Sequence, residues 1–273
     1  MTDNIPKFVF IIPYRDREKE KLHFSIYMKY IMEDIPDKDY EIYFSHQPLG
    51  LPFNRGATKN IGFLAIKNKY PNNYKNITFV FNDIDTMPSK KNLLNYNTTK
   101  GTVKHFYGFK FALGGIFSII GEDFEKCNGF PNIWGWGIED NEMNKRVINK
   151  QLHIDRNQFY PINHKNIIHL YDSPNRLIQN SSPDDYNKNL LIDNLNSINN
   201  LEYEILNNSE KTNNFKKTNE FIINISKFKT LKTPNNNEFY TQNIYKNNKI
   251  ETNQLEKMNA RNMFDMNRFM NKK

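Results

Sequence analysis

Asp83 and Asp85 stand two residues apart behind an apolar run, in the stretch Ile77–Pro88 (ITFVFNDIDTMP). A short apolar run of this kind reads as a buried strand, and in extended chain residues two apart point the same way. Both carboxylates are therefore expected to emerge together at the carboxyl end of a sheet strand, where open α/β sheets bind ligands. Two acids held together repel, and a divalent cation relieves that repulsion. Oxygen ligands suit Mg2+ or Mn2+, and one added imidazole tips the choice toward Mn2+. Taken alone, the tripeptide equally suits acids that cap a loop after a strand.

Three other stretches carry comparable chemistry. Asn128–Glu142 (NGFPNIWGWGIEDNE) holds both tryptophans of the chain, Trp134 and Trp136, interleaved with Gly135 and Gly137. The glycines permit close backbone approach and loop movement, and a tryptophan face suits stacking on a sugar ring. Glu139, Asp140 and Glu142 follow at a helix start. The alternative is two core tryptophans beside a charged helix N-terminus. Pro13–Arg17 (PYRDR) follows the first apolar run. Arg15 and Arg17 can hold a phosphate or carboxylate there, or be solvated surface. Phe53-Asn54-Arg55 repeats the theme with an aromatic face that can stack on a base. His169, in NIIHLYD, is either a metal ligand or a structural histidine behind apolar residues.

These groups need a rigid scaffold. Lys7–Pro13, Tyr40–Phe44 and Ile77–Phe81 read as strands, and they alternate with helices over Lys19–Glu33 and Gly56–Tyr70. The first helix shows Leu22, Ile26, Tyr27, Tyr30 and Ile31 near helical spacing, which predicts its buried stripe. Strand–helix alternation predicts a parallel α/β sheet. Further on, Phe111–Ile120 contains a strand behind Gly114-Gly115. Gly121–Asn128 is a short helix closed by Gly129, and Glu139–Lys150 is a helix with an acidic first turn. Leu201–Leu206 and Phe221–Ile225 are late strands.

Of the 273 residues, 38% are hydrophobic and 14% aromatic, enough for a sizeable core, which excludes a wholly disordered chain. The single cysteine, Cys127, excludes an intramolecular disulfide framework and a cysteine-based zinc site. There are 44 asparagines, so an isolated Asn carries little information here. Of the net charge of +8, residues 207–273 supply +7 and the remainder is near neutral. Residues 1–226 are accordingly read as the folded domain. Residues 227–273 are read as a basic Asn/Lys-rich tail, partly disordered or helical, that meets an acidic partner or membrane surface. No specific nucleic-acid partner is expected, because the body lacks the charge. There is no run of about 18 apolar residues and no secretory leader pattern, so a reducing, cytoplasmic location is expected.

In order and spacing, PYRDR, FNRGATKNIGF, FVFNDIDTMP, NGFPNIWGWGIED and NIIHLYD closely resemble the signature blocks of the β-1,4-galactosyltransferase family, over about residues 7–226. The resemblance implies a GT-A (Rossmann-like) α/β domain with a mostly parallel central sheet. It further implies an inverting transferase that uses Mn2+, with Mg2+ or another divalent ion as substitute, and a UDP-sugar donor. Arg15, Arg17, Phe53 and Arg55 match positions that hold the uridine and diphosphate, and Pro13, Tyr14 and Gly115 are assigned to the same donor side. Asp83 and Asp85 match the DxD pair, with Asp85 the direct metal ligand and His169 the metal histidine. Trp136 matches the tryptophan at the donor–acceptor junction. Glu139 and Asp140 match the acceptor-binding pair, with Asp140 at the catalytic-base position.

The chain departs from the family in places. Asn166 stands where a methionine often completes the metal site, and it offers an amide oxygen instead. Tyr171 stands where xylose-specific relatives have a second histidine. Ala112-Leu113 replace the usual Tyr-Phe before the glycine pair, which predicts room beside the donor's C2 group. The family's disulfides and Golgi anchor are missing, which fits a cytoplasmic enzyme of viral or microbial source. The expected activity is transfer of a hexose or N-acetylhexosamine from a UDP-sugar to a glycan or glycoprotein acceptor. The alternative is a catalytically silent carbohydrate-binding module on the same fold.

Overall fold

In the computed structural model, residues 4–48, 50–170, 175–179, 192–207, 219–234 and 239–243 are described. The first half builds β1 (Phe8–Tyr14), α1 (Glu18–Ile31), β2 (Tyr40–His46), α2 (Arg55–Lys69) and β3 (Thr78–Asn82). Then come β4 (Thr86–Pro88), β5 (Thr102–Gly108), β6 (Ile116–Ile120), α3 (Gly121–Lys126) and α4 (Glu139–Asn149). The short strands β7 (His153–Asp155), β8 (Tyr160–Pro161), β9 (Ile167–His169) and β10 (Asn175–Gln179) follow. β11 (Asn199–Asn207), β12 (Glu220–Lys229) and β13 (Phe239–Asn243) complete the described chain.

The central sheet runs β11-β12-β2-β1-β3-β6-β5-β7, with β8 also pairing β5. β1–β2, β1–β3, β2–β12, β5–β7 and β5–β8 pair in parallel, whereas β3–β6, β5–β6 and β11–β12 are antiparallel. The sheet is therefore mixed and mostly parallel, and the class is α/β as the strand–helix alternation predicts.

β1 is buried throughout and alternates between two cores. Val9 and Ile11 join Ile61, Phe63, Phe79 and Phe117 on the α2 side. Phe8, Phe10 and Ile12 join Phe24, Met28 and Phe106 on the α1 side. The stripe predicted for α1 is corrected here. Of its residues, Ile31 is buried and Tyr27 packs partly against the core, but Leu22, Ile26 and Tyr30 are exposed, and Phe24 and Met28 complete the buried face. The helix carries apolar residues on both sides, so spacing alone could not choose between them.

β11 and β12 occupy the predicted late-strand positions and extend the sheet beyond β2. β12 runs on to Lys229, past the expected boundary at residue 226, and β13 pairs antiparallel with β10. So part of the stretch read as loose tail is strand. Residues 244–273 lie outside the described residues, as does Tyr171. No helix among the described residues is long and apolar enough to cross a membrane.

Candidate active site

The carboxyl ends of β1 and β3 open onto a cavity of about 330 Å3. Pro13 lines it from the end of β1, Arg15 and Arg17 from the turn between β1 and α1, Phe53 and Arg55 from the start of α2, and Asp83 and Asp85 from the turn after β3. Trp136 and Glu139 close one side, and Arg176 and Leu177 of β10 another. Four arginines and two aromatic rings thus face one space, a combination suited to a nucleoside diphosphate.

Asp83 and Asp85 both line the cavity, as their position behind β3 predicts, but from a turn and not from extended strand. The strand stops at Asn82, and Thr86 N–H donates to the Asp83 carbonyl at 3.2 Å, closing a turn. The turn sends the carboxylates to different partners: Asp83 pairs with Arg55, and Asp85 lies 3.8 Å from His169 Nε2. β4 and β9 pair antiparallel with Thr86 opposite His169, which brings that histidine to Asp85. Tyr107 Oη sits 3.1 Å from His169 Nδ1 and leaves Nε2 facing Asp85. The Asp85 carboxylate raises His169 above its ordinary pKa. Burial works to raise Asp85, but His169, Arg55 and Arg17 outweigh it and hold it low.

Asn166 is three residues back on the ladder. Its carbonyl accepts from Ser89 N–H at 2.8 Å and its N–H donates to His164 Nδ1 at 3.2 Å. Register brings His169, not Asn166, opposite the residue after Asp85. The carboxylate–imidazole pair fits a divalent cation of the Mn2+ or Mg2+ type, and the hydroxyl behind the imidazole is the usual orienting contact.

Asp140 sits on the first turn of α4, on the far side of Arg55. Its Oδ1 accepts from Lys59 Nζ at 2.8 Å, and its Oδ2 is 3.7 Å from Arg55 Nη1. Glu139 Oε1 is 3.5 Å from the same Arg55 nitrogen. Burial and the neighbouring Asp140 charge raise Glu139. For Asp140, burial also works upward, but Lys59 and Arg55 outweigh it and hold the carboxyl below its ordinary value. Two adjacent acids with pKa values pushed apart are a common acid–base arrangement.

The two tryptophans do different work. Trp134 is buried, stacks on Phe228 at 5.3 Å and donates from Nε1 to Thr230 Oγ1 at 2.9 Å. Trp136 is 48% exposed on the cavity wall. Between them, Gly135 N–H donates to the Phe53 carbonyl and Trp136 N–H to the Leu177 carbonyl, at 2.9 and 2.7 Å.

Tyr14 and Gly115 are not brought to the cavity. Tyr14 is buried, and its hydroxyl donates to Glu18 Oε1 at 3.0 Å. Gly115 works from beneath: its carbonyl accepts from Asp83 N–H at 2.9 Å. Its φ of +66° and the Tyr107 carbonyl, 2.5 Å from where a Cβ would stand, leave room for glycine alone. Ala112 and Leu113 are buried and do not border the cavity, so exchanging a ring for a methyl group at 112 does not widen it.

Sequence reasoning missed Lys59, Arg176 and a set of buried asparagines. Asn54 caps α2 by accepting from Ala57 N–H, and its amide donates to the Asn132 carbonyl. Asn60 donates to the Phe130 carbonyl and to Asn132 Oδ1. These bonds seat the segment before the tryptophan loop against α2. The chain's abundance of Asn hid them. Lys59 was detectable, because it follows Arg55 by four residues and so shares its helix face.

A mixed, mostly parallel sheet with a cationic, aromatic cavity at its strand ends defines an α/β domain of the GT-A glycosyltransferase fold. A family model described as the N-terminal region of glycosyl transferase group 7 matches residues 3–97, and one described as the N-terminal domain of galactosyltransferase matches residues 101–173. The chain belongs to the β-1,4-galactosyltransferase family. It is 30% identical to human β-1,4-galactosyltransferase 4 over 164 residues, covering 56% of this chain and 45% of that protein. Against the Caenorhabditis elegans xylosylprotein 4-beta-galactosyltransferase it is 30% identical over 159 residues, covering 55% and 53%. The chain thus spans about half the length of the curated relatives it matches. The catalytic domain of Drosophila β1,4-galactosyltransferase 7, solved with xylobiose, superposes with a TM-score of 0.64 at 24% identity, covering 86% of this chain and 98% of that one.

Proposed function

We propose that this chain is a divalent-metal-dependent, inverting glycosyltransferase that moves a hexose or N-acetylhexosamine from a UDP-sugar to a sugar hydroxyl of a glycan. One observation carries the reading. Asp85, Arg55 and Glu139 line a single cavity that Trp136 walls, and His169 and Asp140 stand behind that lining, His169 beside Asp85 and Asp140 beside Arg55. The curated relatives are named for galactose transfer, and a mutant of the Drosophila neighbour was solved with manganese, UDP-Gal and xylobiose.

Asp85 and His169 would hold the cation. When bound there, the ion neutralises charge growing on the departing diphosphate. Arg15, Arg17 and Arg176 orient the phosphates, Phe53 stacks on the base and Trp136 covers the transferred sugar. Asp140 takes the proton from the acceptor hydroxyl as its oxygen attacks C1 from the face opposite the diphosphate. The new C1–O bond forms as the C1–O bond to the diphosphate breaks. Holding both substrates against one wall supplies much of the acceleration.

The test is UDP release from a panel of UDP-sugars with candidate glycan acceptors. Turnover should need Mn2+ or a close substitute, and Asp85→Ala should lose metal-dependent donor binding. Asp140→Asn, near-isosteric but unable to accept the proton, should cut turnover by about 10²-fold or more while UDP binding stays close to normal. Full activity in excess chelator overturns the metal assignment. Wild-type turnover by Asp140→Asn moves the base elsewhere, with Glu139 next.

A further inference from the structure

Lys59 is only 1% exposed and lies one turn into α2, yet its ammonium is not spent on a backbone carbonyl or on solvent. It points at Asp140 Oδ1, 2.8 Å away, over the face of Phe130 at 4.5 Å. A buried ammonium with one carboxylate partner is costly to keep unless the pair serves a purpose. Lys59 does not border the cavity, and its ammonium is covered by Asp140 and Phe130.

The charges facing Asp140 can be counted element by element. α2 presents Lys59 and Arg55, α4 presents Glu139, the turn after β3 presents Asp83, and β5 presents His105. His105 is held neutral by burial, with its pKa lowered to about 4. Three carboxylates therefore share two cations. Arg55 is already divided among all three acids. Lys59 pairs directly with Asp140 alone, at one of its two oxygens, while its charge also favours the ionised forms of Asp83 and Glu139. Gly114 is packed so close to the other Asp140 oxygen that a Cβ would stand 2.4 Å from Oδ2.

We propose that Lys59 is a positioning residue for the transfer reaction: its ion pair holds the Asp140 carboxylate in place through Oδ1 and supplies the cation that keeps it ionised among its acidic neighbours. The proposal rests on Asp140 being the base. Losing an opposite charge at this distance moves a buried carboxylate by about one to three pH units. Below its acid limb the enzyme loses about tenfold in kcat/KM per pH unit.

The experiment compares wild type with Lys59→Met, which keeps the stem and removes the charge. Two quantities are followed: the pH profile of kcat/KM, and the carboxyl-carbon NMR titration of Asp140 in the ligand-free protein. The acid limb and the Asp140 titration should both move upward by about one unit or more, while KM for the donor stays within twofold. In wild type, the Lys59 Nζ resonance should shift over the same pH interval as the Asp140 carboxyl, which decides the pairing even if Lys59→Met fails to fold. A folded variant in which neither the limb nor the titration moves overturns the proposal, as does a wild-type Nζ that ignores the Asp140 titration. A titration that moves while the acid limb stays fixed leaves the pairing intact and overturns the assignment of Asp140 as base.

Discussion

Tyr107 reaches the metal pair from behind, with its hydroxyl 3.1 Å from His169 Nδ1 and its ring buried. Contacts of this kind fix the ring orientation of a metal histidine and typically account for 10–100-fold in affinity. Tyr107→Phe removes only the hydroxyl, so Mn2+ affinity read by electron paramagnetic resonance should fall about tenfold or more, with the thermal midpoint little changed. An unchanged dissociation constant would count against His169 as a ligand. Residue types in NIIHLYD and FNDID pointed to this chemistry, because carboxylate and imidazole are the ligands such an ion takes. The direction of each side chain was not legible. Asp83 and Asp85 reach the same cavity with different partners because the strand stops at Asn82 and a turn follows, and nothing in the tripeptide specifies where a strand stops.

Elements explain why the groups stay where they are. α4 begins directly at Glu139 and Asp140, and Leu113 N–H donates to the Asp140 carbonyl at 2.9 Å. The loop carrying Gly114 is thus pinned to the first turn of that helix. An added methyl at Gly114 would overlap the Asp140 carboxylate, which Lys59 prevents from yielding. Gly114→Ala should therefore leave UDP binding intact and reduce kcat by about 10²-fold, as expected for a reacting group displaced by about 1 Å. Wild-type kcat in this variant would mean that Asp140 has slack, contrary to the packing. The helices over 55–69 and 139–149 were legible from period and end signals. Choosing the buried face of α1 was not, since Phe24 and Met28 compete with Leu22 and Ile26 on opposite sides. β10 and β13 were illegible for another reason: their pairing joins residues far apart in sequence, within Asn-rich chain of weak pattern.

At the scale of the whole molecule, the site is held between a sheet buried on both faces and a set of buried polar groups that must stay neutral or paired. Apolar runs revealed the central strands. The antiparallel placement of β6 beside β3 did not follow from its sequence, because FALGGIFSII carries no sign of direction. His105 gave no signal either, yet it couples the fold to pH. Its ring is buried in β5, its Nε2 is 3.1 Å from the Tyr107 carbonyl, and Arg156 Nε donates to Nδ1 at 3.3 Å. Burial first, and then the Arg156 charge, lower its pKa to about 4. The folded state thus excludes a proton that the unfolded chain accepts near pH 6.5. Between those values the unfolded state binds more protons, so stability is complete above about pH 6.5 and is lost as pH falls toward 4. A shift of this size corresponds to about 3 kcal/mol, a large share of the 5–15 kcal/mol typical of a domain. Urea unfolding at several pH values between 4.5 and 7.5 measures the slope, and His105→Gln isolates the contribution of this ring from that of titrating carboxylates. The variant should be less stable than wild type at pH 7.5 and should lose less stability on acidification. Parallel curves for the two proteins would show that His105 titrates normally in the fold and that the acid sensitivity arises elsewhere.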